Sequence, residues 1–199
     1  MIDEGYIKFK SNWTNKDVIA EKDIAALNTW RDRLYDLGLL GVYPNGIGYG
    51  NISQRTSDKQ FVITGTQTGN YPKLSAQHYA QVVQCDVDNN SLQCLGMTEA
   101  SSESMSHYAV YQQFSSIKYV FHTHHFKLWK TNLNRLPTTA IDVPYGTPEM
   151  AKEIQRLFRE TDVLEKRIFV MAGHEEGIFT FGASLEAAGH VLLSYFEKL

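Results

Sequence analysis

The spacing of apolar residues in the amino-terminal part of the chain predicts a long helix. We expect this helix to run from about Lys16 to Leu37, with Thr14 or Asn15 as its N-cap and Gly38 at its end. Apolar residues recur there at helical intervals, which gives the helix one face suited to burial. The residues of this apolar face are Ile24, Leu27, Leu34 and Leu37.

The rest of the pattern predicts short strands separated by helices. Short runs rich in β-branched and aromatic residues predict strands at residues 61–64, 82–87, 92–95, 118–124, 168–171 and 178–181. Helical periodicity and capping residues predict helices at residues 102–114 and 148–159, and from the Ser184 cap to Leu199. Strands and helices mixed in this order favour a layered α/β or α+β fold.

Residues 41–53 are rich in glycine and lie between the first helix and the first strand. Glycine is costly inside a helix or strand because it loses more backbone freedom on folding than any other residue. We therefore expect this stretch to be a functional loop.

Length, charge and hydropathy narrow the class of protein. A chain of 199 residues fits one domain, which we take as 1–199. A net charge of −3 and the lack of a basic run argue against a nucleic-acid partner. No apolar stretch approaches the ~18 residues of a transmembrane helix, so we expect no membrane partner. The acidic start of the chain does not resemble a secretory signal, so we expect a cytoplasmic protein.

Two histidines, His122 and His124, stand two residues apart on a predicted strand and so project from the same face. Two imidazoles on one rigid element suit a metal, and a third neutral donor would leave a coordination position open, as in catalytic zinc sites. His174 follows a buried strand and is the natural third donor. On these residues alone, a chance pair on a strand remains the alternative.

Glu103 follows Ser101 and Ser102 at the expected start of the helix at 102–114. Glutamate in the first turn is ordinary capping chemistry, so one interpretation of Glu103 is a cap and the other is a functional carboxylate. The two serines could likewise cap the helix or present hydroxyl and N–H groups to an anion.

The order and spacing of five short motifs resemble the class II aldolase/adducin family. The resemblance covers most of the chain, from Leu27 to the last helix. Each motif is individually weak, and it is their common order that makes the signal specific. The motifs are Gly50-Asn51-Ile52-Ser53, Thr66-Gln67-Thr68-Gly69 followed by Lys73-Leu74, Ser101-Ser102-Glu103, His122-Thr123-His124, and Gly173-His174 with Gly177 and Gly182.

The resemblance implies a three-layer α/β/α fold around a central, mainly antiparallel sheet. It also implies a homotetramer of cyclic symmetry with active sites at subunit interfaces. Family aldolases hold zinc, or another divalent ion such as manganese, iron or cobalt, on three histidines, and one carboxylate moves the proton. Carried over, the metal ligands are His122, His124 and His174, the catalytic carboxylate is Glu103, and the residues that hold the substrate's phosphate are Asn51, Thr68, Gly69, Ser101 and Ser102.

The activity implied by the resemblance is the cleavage or formation of a small ketose or ketose phosphate by metal-stabilised enediolate chemistry. An acid is also needed at the departing aldehyde oxygen, and Tyr145 and Tyr195 are the candidates. The alternatives within the family are a sugar-phosphate dehydratase similar to the methylthioribulose-phosphate dehydratases, a 4-epimerase, and a non-catalytic scaffold similar to the adducin head.

The chain departs from the family pattern at several positions. Gln67 and Ala100 replace prolines, and Lys73 is the only cation close in sequence to the loop at residues 66–69. The residue after the last histidine ligand is usually glycine, whereas Glu175 and Glu176 follow it here. An acid beside a metal-bound imidazole is either a partner that orients the ring or a fourth ligand.

Overall fold

The computed structural model describes residues 5–199, and an eight-stranded sheet lies at its centre. In chain order, the strands of this sheet and of a small second sheet are β1 (Lys10–Asn15), β2 (Gly41–Val42), β3 (Gly48–Tyr49), β4 (Asn51–Arg55), β5 (Phe61–Thr64), β6 (Tyr79–Asp86), β7 (Ser91–Gly96), β8 (Tyr119–His124), β9 (Ile168–Val170) and β10 (Gly177–Gly182). The order across the sheet is β1-β7-β6-β5-β4-β8-β10-β9. β1 and β7 pair in parallel, and the other neighbours are antiparallel. β2 and β3 form a separate two-stranded ribbon.

Helices cover both faces of the sheet. They are α1 (Glu21–Asp36), α2 (Ser104–Tyr111), α3 (Phe126–Asn132), α4 (Pro148–Glu160), α5 (Val163–Lys166) and α6 (Leu185–Phe196). α2 and α4 share one apolar cluster with the sheet, and α1 and α6 share the other. The predicted three-layer α/β/α fold with a mainly antiparallel sheet is therefore confirmed. Between residues 5 and 199, no helix combines the length and the apolarity needed to cross a bilayer.

Alternate residues of each central strand face opposite helical layers. In β5, Phe61 and Ile63 belong to the cluster with α2 and α4, whereas Val62 belongs to the cluster with α1 and α6. In β8, Val120 faces α2 and α4 while Phe121 faces the other layer. Side chains alternate along a strand, so the residues two and four positions after Val120 also face α2 and α4. This alternation places His122 and His124 on the face of the sheet that α2 and α4 cover.

The start of the first helix differs from the prediction. α1 begins at Glu21 rather than Lys16, and its N-cap is Ala20, whose side chain makes no capping hydrogen bond. Thr14 and Asn15, the expected caps, lie in β1 instead. β1 is a largely exposed edge strand of polar residues, so its sequence lacks the apolar alternation that marks a strand.

The glycine-rich stretch is only partly a loop. It contains the short strands β2 and β3 and the beginning of β4, so the expectation of a loop throughout residues 41–53 is wrong. The helices α3 and α5 were not predicted, because each is too short to show a helical period. The predicted cap of the last helix is confirmed, since the Ser184 hydroxyl accepts a hydrogen bond from the Ala187 N–H at 3.1 Å.

A buried polar chain connects α2 to the sheet. His107 is fully buried, its Nδ1 lies 2.7 Å from the Ser53 hydroxyl, and that hydroxyl lies 2.7 Å from the Tyr111 hydroxyl. The His107 ring also meets the Phe179 ring edge-on, with 5.2 Å between centroids. Burial lowers the pKa of His107 to about 3, so this histidine is neutral in the folded protein at ordinary pH.

His107 should make the folded protein sensitive to acid. The unfolded chain binds a proton at this histidine below a pKa of about 6.5, while the folded chain does so only near pH 3, so stability falls as pH drops through that window. We expect the loss attributable to His107 between pH 7 and pH 5 to be about 2 kcal/mol. Urea unfolding at both pH values should show a loss smaller by that amount in His107→Gln than in the wild type. Equal losses in the two proteins would contradict the assignment.

Candidate metal centre and anion cradle

Three buried histidines form one cluster at the end of the central sheet. His122 and His124 come from β8, and His174 comes from the turn between β9 and β10. Their candidate ligand atoms all lie within 4.8 Å of one another. The ring centroids are 4.7 to 5.2 Å apart. The structure thus brings the expected third histidine to the pair on the strand.

The strand register and one glycine permit this close approach. β10 runs antiparallel to β8, with Gly177 opposite His124 and Phe179 opposite His122. The turn before β10 is closed by a hydrogen bond from the Gly177 N–H to the His174 carbonyl at 3.0 Å. A Cβ atom at residue 177 would lie only 3.3 Å from His122 Nε2, so glycine keeps the space beside the imidazole open.

The environment of His122 favours its neutral form. Burial lowers the pKa of His122 well below its usual range, and the neighbouring His124 and His174 shift it in the same direction. His122 Nε2 is buried and has no hydrogen-bond partner within residues 5–199. A buried nitrogen without a partner is costly unless something else satisfies it. Three clustered imidazoles, one of them with an unsatisfied buried nitrogen, fit a divalent transition metal, for which imidazoles are preferred ligands.

Asn51 connects the histidine cluster to the loops beside it. Its Nδ2 lies 3.4 Å from His122 Nδ1, and its buried Oδ1 has no hydrogen-bond partner in the described part of the chain. The two ends of an amide are assigned only from such networks. If the Asn51 amide is rotated by 180°, its Oδ1 accepts a hydrogen bond from the Nδ1–H of His122. The lone pair of His122 Nε2 then remains for a metal.

Glu103 faces the cluster and does not cap its helix. The residue is fully buried at the N-cap position of α2, but its side chain makes no capping hydrogen bond. Its Oε1 lies 3.3 Å from His174 Nδ1. The Ser101 hydroxyl accepts a hydrogen bond from the Glu103 N–H at 3.3 Å, and the Ser101 carbonyl accepts one from the Ser104 N–H. The local capping is therefore done by Ser101, and of the two interpretations of Glu103 the geometry favours the functional carboxylate.

A small cavity, which we call the anion cradle, collects the five residues expected to bind substrate. Its volume is about 20 Å³, close to the space needed for one water molecule or one oxygen-bearing group. No charged side chain lines it among the residues described. Lys73 instead pairs with Asp32, with 2.7 Å between Nζ and Oδ2. The lining consists of Asn51, Thr68, Gly69, Ser101 and Ser102, together with Gly5, Gly48, Gly50, Gly65, Thr66 and Gln67.

The loop that forms the cradle contacts the β2–β3 ribbon through bare backbone. A Cβ atom at Gly69 would lie 2.0 Å from the Gly41 carbonyl oxygen and 2.8 Å from the Gly48 Cα. A Cβ atom at Gly48 would in turn lie 3.1 Å from the Gly69 nitrogen. Only glycine allows this separation of the two segments.

Comparison with known protein families decides the identity of the fold. The sequence profile described as Class II Aldolase and Adducin N-terminal domain matches residues 45–198. The chain belongs to this family. No protein of curated function matches the sequence closely enough to count as a relative.

Several solved structures share the fold. YgbL from Klebsiella pneumoniae, a candidate aldolase/epimerase/decarboxylase, has a TM-score of 0.65 and 20% identity over 90% of this chain and 88% of that chain. The L-fuculose-1-phosphate aldolase from Thermus thermophilus has a TM-score of 0.59 and 20% identity over 86% and 85%. A sugar-phosphate aldolase from Thermotoga maritima has a TM-score of 0.63 and 16% identity over 88% and 91%. At these identities the likeness establishes the fold alone.

The structure distinguishes the two tyrosines that the sequence offered as candidates for the acid. Tyr145 is buried and stacks on His174, with 4.5 Å between ring centroids, and its hydroxyl accepts a hydrogen bond from the Tyr6 N–H at 3.1 Å. Tyr195 lies on α6 and packs with the apolar cluster on the opposite face of the sheet. Of the two, Tyr145 is the residue beside the histidine cluster.

Arg31 binds the backbone of the loop that forms the anion cradle, and it was not predicted as a site residue from the sequence. It is buried on α1 and donates hydrogen bonds to the Pro72 carbonyl at 2.9 Å and to the Thr68 carbonyl at 3.4 Å. These bonds hold the backbone of the cradle loop. The available signal was a charged residue on the apolar face of α1, between Leu27 and Leu34.

Tyr43 is the other functional candidate that sequence reasoning missed. Its hydroxyl lies 2.9 Å from His124 Nδ1 and donates a hydrogen bond to Glu176 Oε2 at 2.7 Å. Glu175, the neighbouring acid, is exposed. The available signal was an aromatic residue in the glycine-rich stretch together with two acids after the last histidine of a class II aldolase motif.

Proposed function

We propose that this protein is a metal-dependent lyase that cleaves or forms a small ketose or ketose phosphate. The observation that carries the proposal is the cluster of three buried histidines with a buried carboxylate at its edge. The candidate ligand atoms lie within 4.8 Å of one another, and Glu103 Oε1 is 3.3 Å from one of the rings. Family membership and the aldolases among the structural neighbours support the same reaction class.

His122, His124 and His174 would hold the metal. We propose zinc, with manganese, iron or cobalt as the alternatives, because three imidazoles suit all of these ions. When bound, the cation supplies a Lewis acid for the substrate carbonyl. A site of three histidines leaves room for substrate oxygen, which is the arrangement of catalytic rather than structural metal sites.

Glu103 would move the proton at the reacting carbon. In the direction of synthesis its carboxylate removes a proton from the carbon next to the carbonyl, and in the direction of cleavage it returns that proton. Its side chain is buried beside the histidine cluster and makes no cap, so helix capping does not occupy the carboxylate. The anion cradle would hold the far end of the substrate through hydroxyl and backbone N–H groups.

A dehydratase or a 4-epimerase using the same residues is the second candidate, since one fold supports several reactions. The likeness to YgbL, a candidate aldolase/epimerase/decarboxylase, supports keeping it. Mass spectrometry separates the candidates, because cleavage divides the substrate carbons between two products and the alternatives retain them in one. A non-catalytic scaffold is less consistent with a buried cluster of ligand-type nitrogens.

The first experiment is elemental analysis of the purified protein before and after chelation, followed by a screen for aldehyde release from ketoses and ketose phosphates. About one divalent metal per chain and release of aldehyde that chelation abolishes are the expected results. A protein that takes up no metal when supplied with it would overturn the proposal. A protein that is loaded with metal but retains every substrate carbon would favour the dehydratase or epimerase.

We further propose a cytoplasmic homotetramer with sites at subunit interfaces. Ile141 is 79% exposed close to the turn that carries His174, since a Cβ atom at Gly173 would lie 2.9 Å from the Ile141 carbonyl. A second subunit could cover this surface, and the proposal of a tetramer itself rests on the resemblance to family aldolases. Light scattering on the same preparation should give about four times the 22.6 kDa chain mass, and a monomer would contradict the assembly.

A further inference from the structure

We propose that Tyr43 and Glu176 are positioning residues that hold His124 in the tautomer and orientation needed to bind a metal. The inference rests on the proposed metal site and adds to it a hydrogen-bonded chain from Glu176 through Tyr43 to His124. Residues that orient a ligand histidine through its second ring nitrogen raise metal affinity.

The two contacts of the Tyr43 hydroxyl fix the direction of the chain. A phenol has one proton, and the Tyr43 proton goes to the carboxylate of Glu176, whose Oε2 is 2.7 Å away. At the 2.9 Å contact with His124, the phenol oxygen must then accept a hydrogen bond, so Nδ1 carries the ring proton. In this tautomer the lone pair is on Nε2, the nitrogen that a metal would bind.

The hydrogen-bonded chain distinguishes the two acids that follow the last histidine, because only one of them belongs to it. Glu175 is exposed, whereas Glu176 is partly buried and its carboxylate binds Tyr43. Glu176 is not a member of the metal-type cluster, which consists of the three histidines within the described residues. Of the two roles that an acid could take here, the geometry assigns Glu176 the orienting one rather than that of a fourth ligand.

The backbone at Glu176 adopts a conformation that glutamate disfavours. Its φ angle is +70°, in the left-handed region, and its carbonyl accepts a hydrogen bond from the His125 N–H at 3.2 Å. A non-glycine residue in this region costs free energy and persists where the surroundings hold it. Glycine would adopt this conformation without strain, so the Glu176 side chain stands here at a cost in free energy.

Tyr43, the middle residue of this hydrogen-bonded chain, is held in place by its backbone and its ring. Its N–H donates to the Ile47 carbonyl at 2.9 Å, and its carbonyl accepts from the Gly46 N–H at 2.8 Å, which closes the turn of the β2–β3 ribbon. Its ring packs on Tyr49 with 4.5 Å between centroids. The hydroxyl is therefore placed by the fold before any metal arrives, which is what a positioning residue requires.

The test compares metal affinities of full-length variants by competition with a chelator at one fixed pH. Tyr43→Phe and Glu176→Ala should each weaken zinc binding about 10- to 100-fold. The double variant should be no weaker than Tyr43→Phe alone, because both changes break the same chain. Long-range nitrogen–proton NMR of the zinc-loaded protein should show His124 Nδ1 protonated in the wild type.

Three further variants separate positioning from general damage. Tyr49→Phe removes a hydroxyl that donates to the Gly38 carbonyl, and Glu175→Ala removes an adjacent negative charge, and neither should change zinc affinity more than about twofold. Glu176→Gly removes the carboxylate while relieving the left-handed backbone, so it should lower affinity without lowering the melting temperature. Loss of stability in proportion to loss of affinity would indicate a structural role instead.

The outcomes distinguish this inference from the proposed function. If the wild type binds zinc and Tyr43→Phe binds it equally well, the positioning role is overturned while the metal site stands. The positioning role is likewise overturned if Glu175→Ala weakens binding as much as Glu176→Ala, because the effect would then be one of net charge. If the wild type itself binds no metal, the proposed function fails first.

Discussion

Replacing His122 with alanine is expected to abolish metal binding and turnover together while the chain still folds. Loss of a residue that merely orients a ligand costs about 10- to 100-fold in metal affinity, so loss of a ligand should cost more than about 100-fold. Lewis-acid stabilisation is worth several kcal/mol, and turnover should fall about 1,000-fold or more. Elemental analysis and aldehyde release measure the two effects on one preparation.

The chain offers a matched control in His107→Ala. Both histidines are fully buried and both contact Phe179: His122 stacks on it at 4.6 Å, and His107 meets its edge. Only His122 belongs to the metal-type cluster. Similar melting temperatures with metal lost only from His122→Ala are expected. Equal loss of metal from both variants would show that damage to the core, rather than loss of a ligand, explains the result.

Changing Glu103 to glutamine is expected to keep the metal and remove most of the turnover. Glutamine has the same shape but cannot accept a proton, and a positioned general base contributes about 10²- to 10⁴-fold. The rate constant for aldehyde release should fall by that factor, with metal content unchanged. The buried position of Glu103 beside His174 makes this the most direct separation of proton transfer from metal binding.

Glu99→Gln is the companion variant for Glu103→Gln. Glu99 precedes the same helix and is only partly buried, so its replacement removes an equal charge nearby without touching the cluster. We expect its turnover to stay within about twofold of the wild type. Loss of metal from Glu103→Gln would identify Glu103 as a ligand, and full turnover in that variant would exclude it as the base.

The sequence pattern predicted the central part of the fold because β5, β8 and β10 are buried almost throughout and read as short apolar runs, while α4 has one buried face. β5 was predicted at its observed bounds, and β8, α4 and β10 within one residue at each end. β1 was not predicted, because its polar residues are held by pairing with β7 at the edge of the sheet. Its stability comes from a partner about 80 residues away, which no local pattern records.

The same distinction applies to the site. His122 and His124 were predicted to share a face because strand geometry is local, and the structure confirms that they do. Tyr43 was not predicted, because its contacts join residues separated by 81 and 133 positions. Only the folded turns bring its hydroxyl to His124 and Glu176. Sequence therefore indicates the candidate ligands, whereas the residues that orient them depend on tertiary structure.

The backbone contact between Gly48 and Gly69 also limits which positions around the anion cradle can be varied in directed evolution. Any side chain at Gly69 would collide with the ribbon backbone, so a library at that position would yield unfolded or displaced loops. Thr66 and Gln67 line the same cavity and already carry side chains, so they are the positions to randomise. At Gln67 the φ angle of +56° favours small libraries of glycine, asparagine and aspartate.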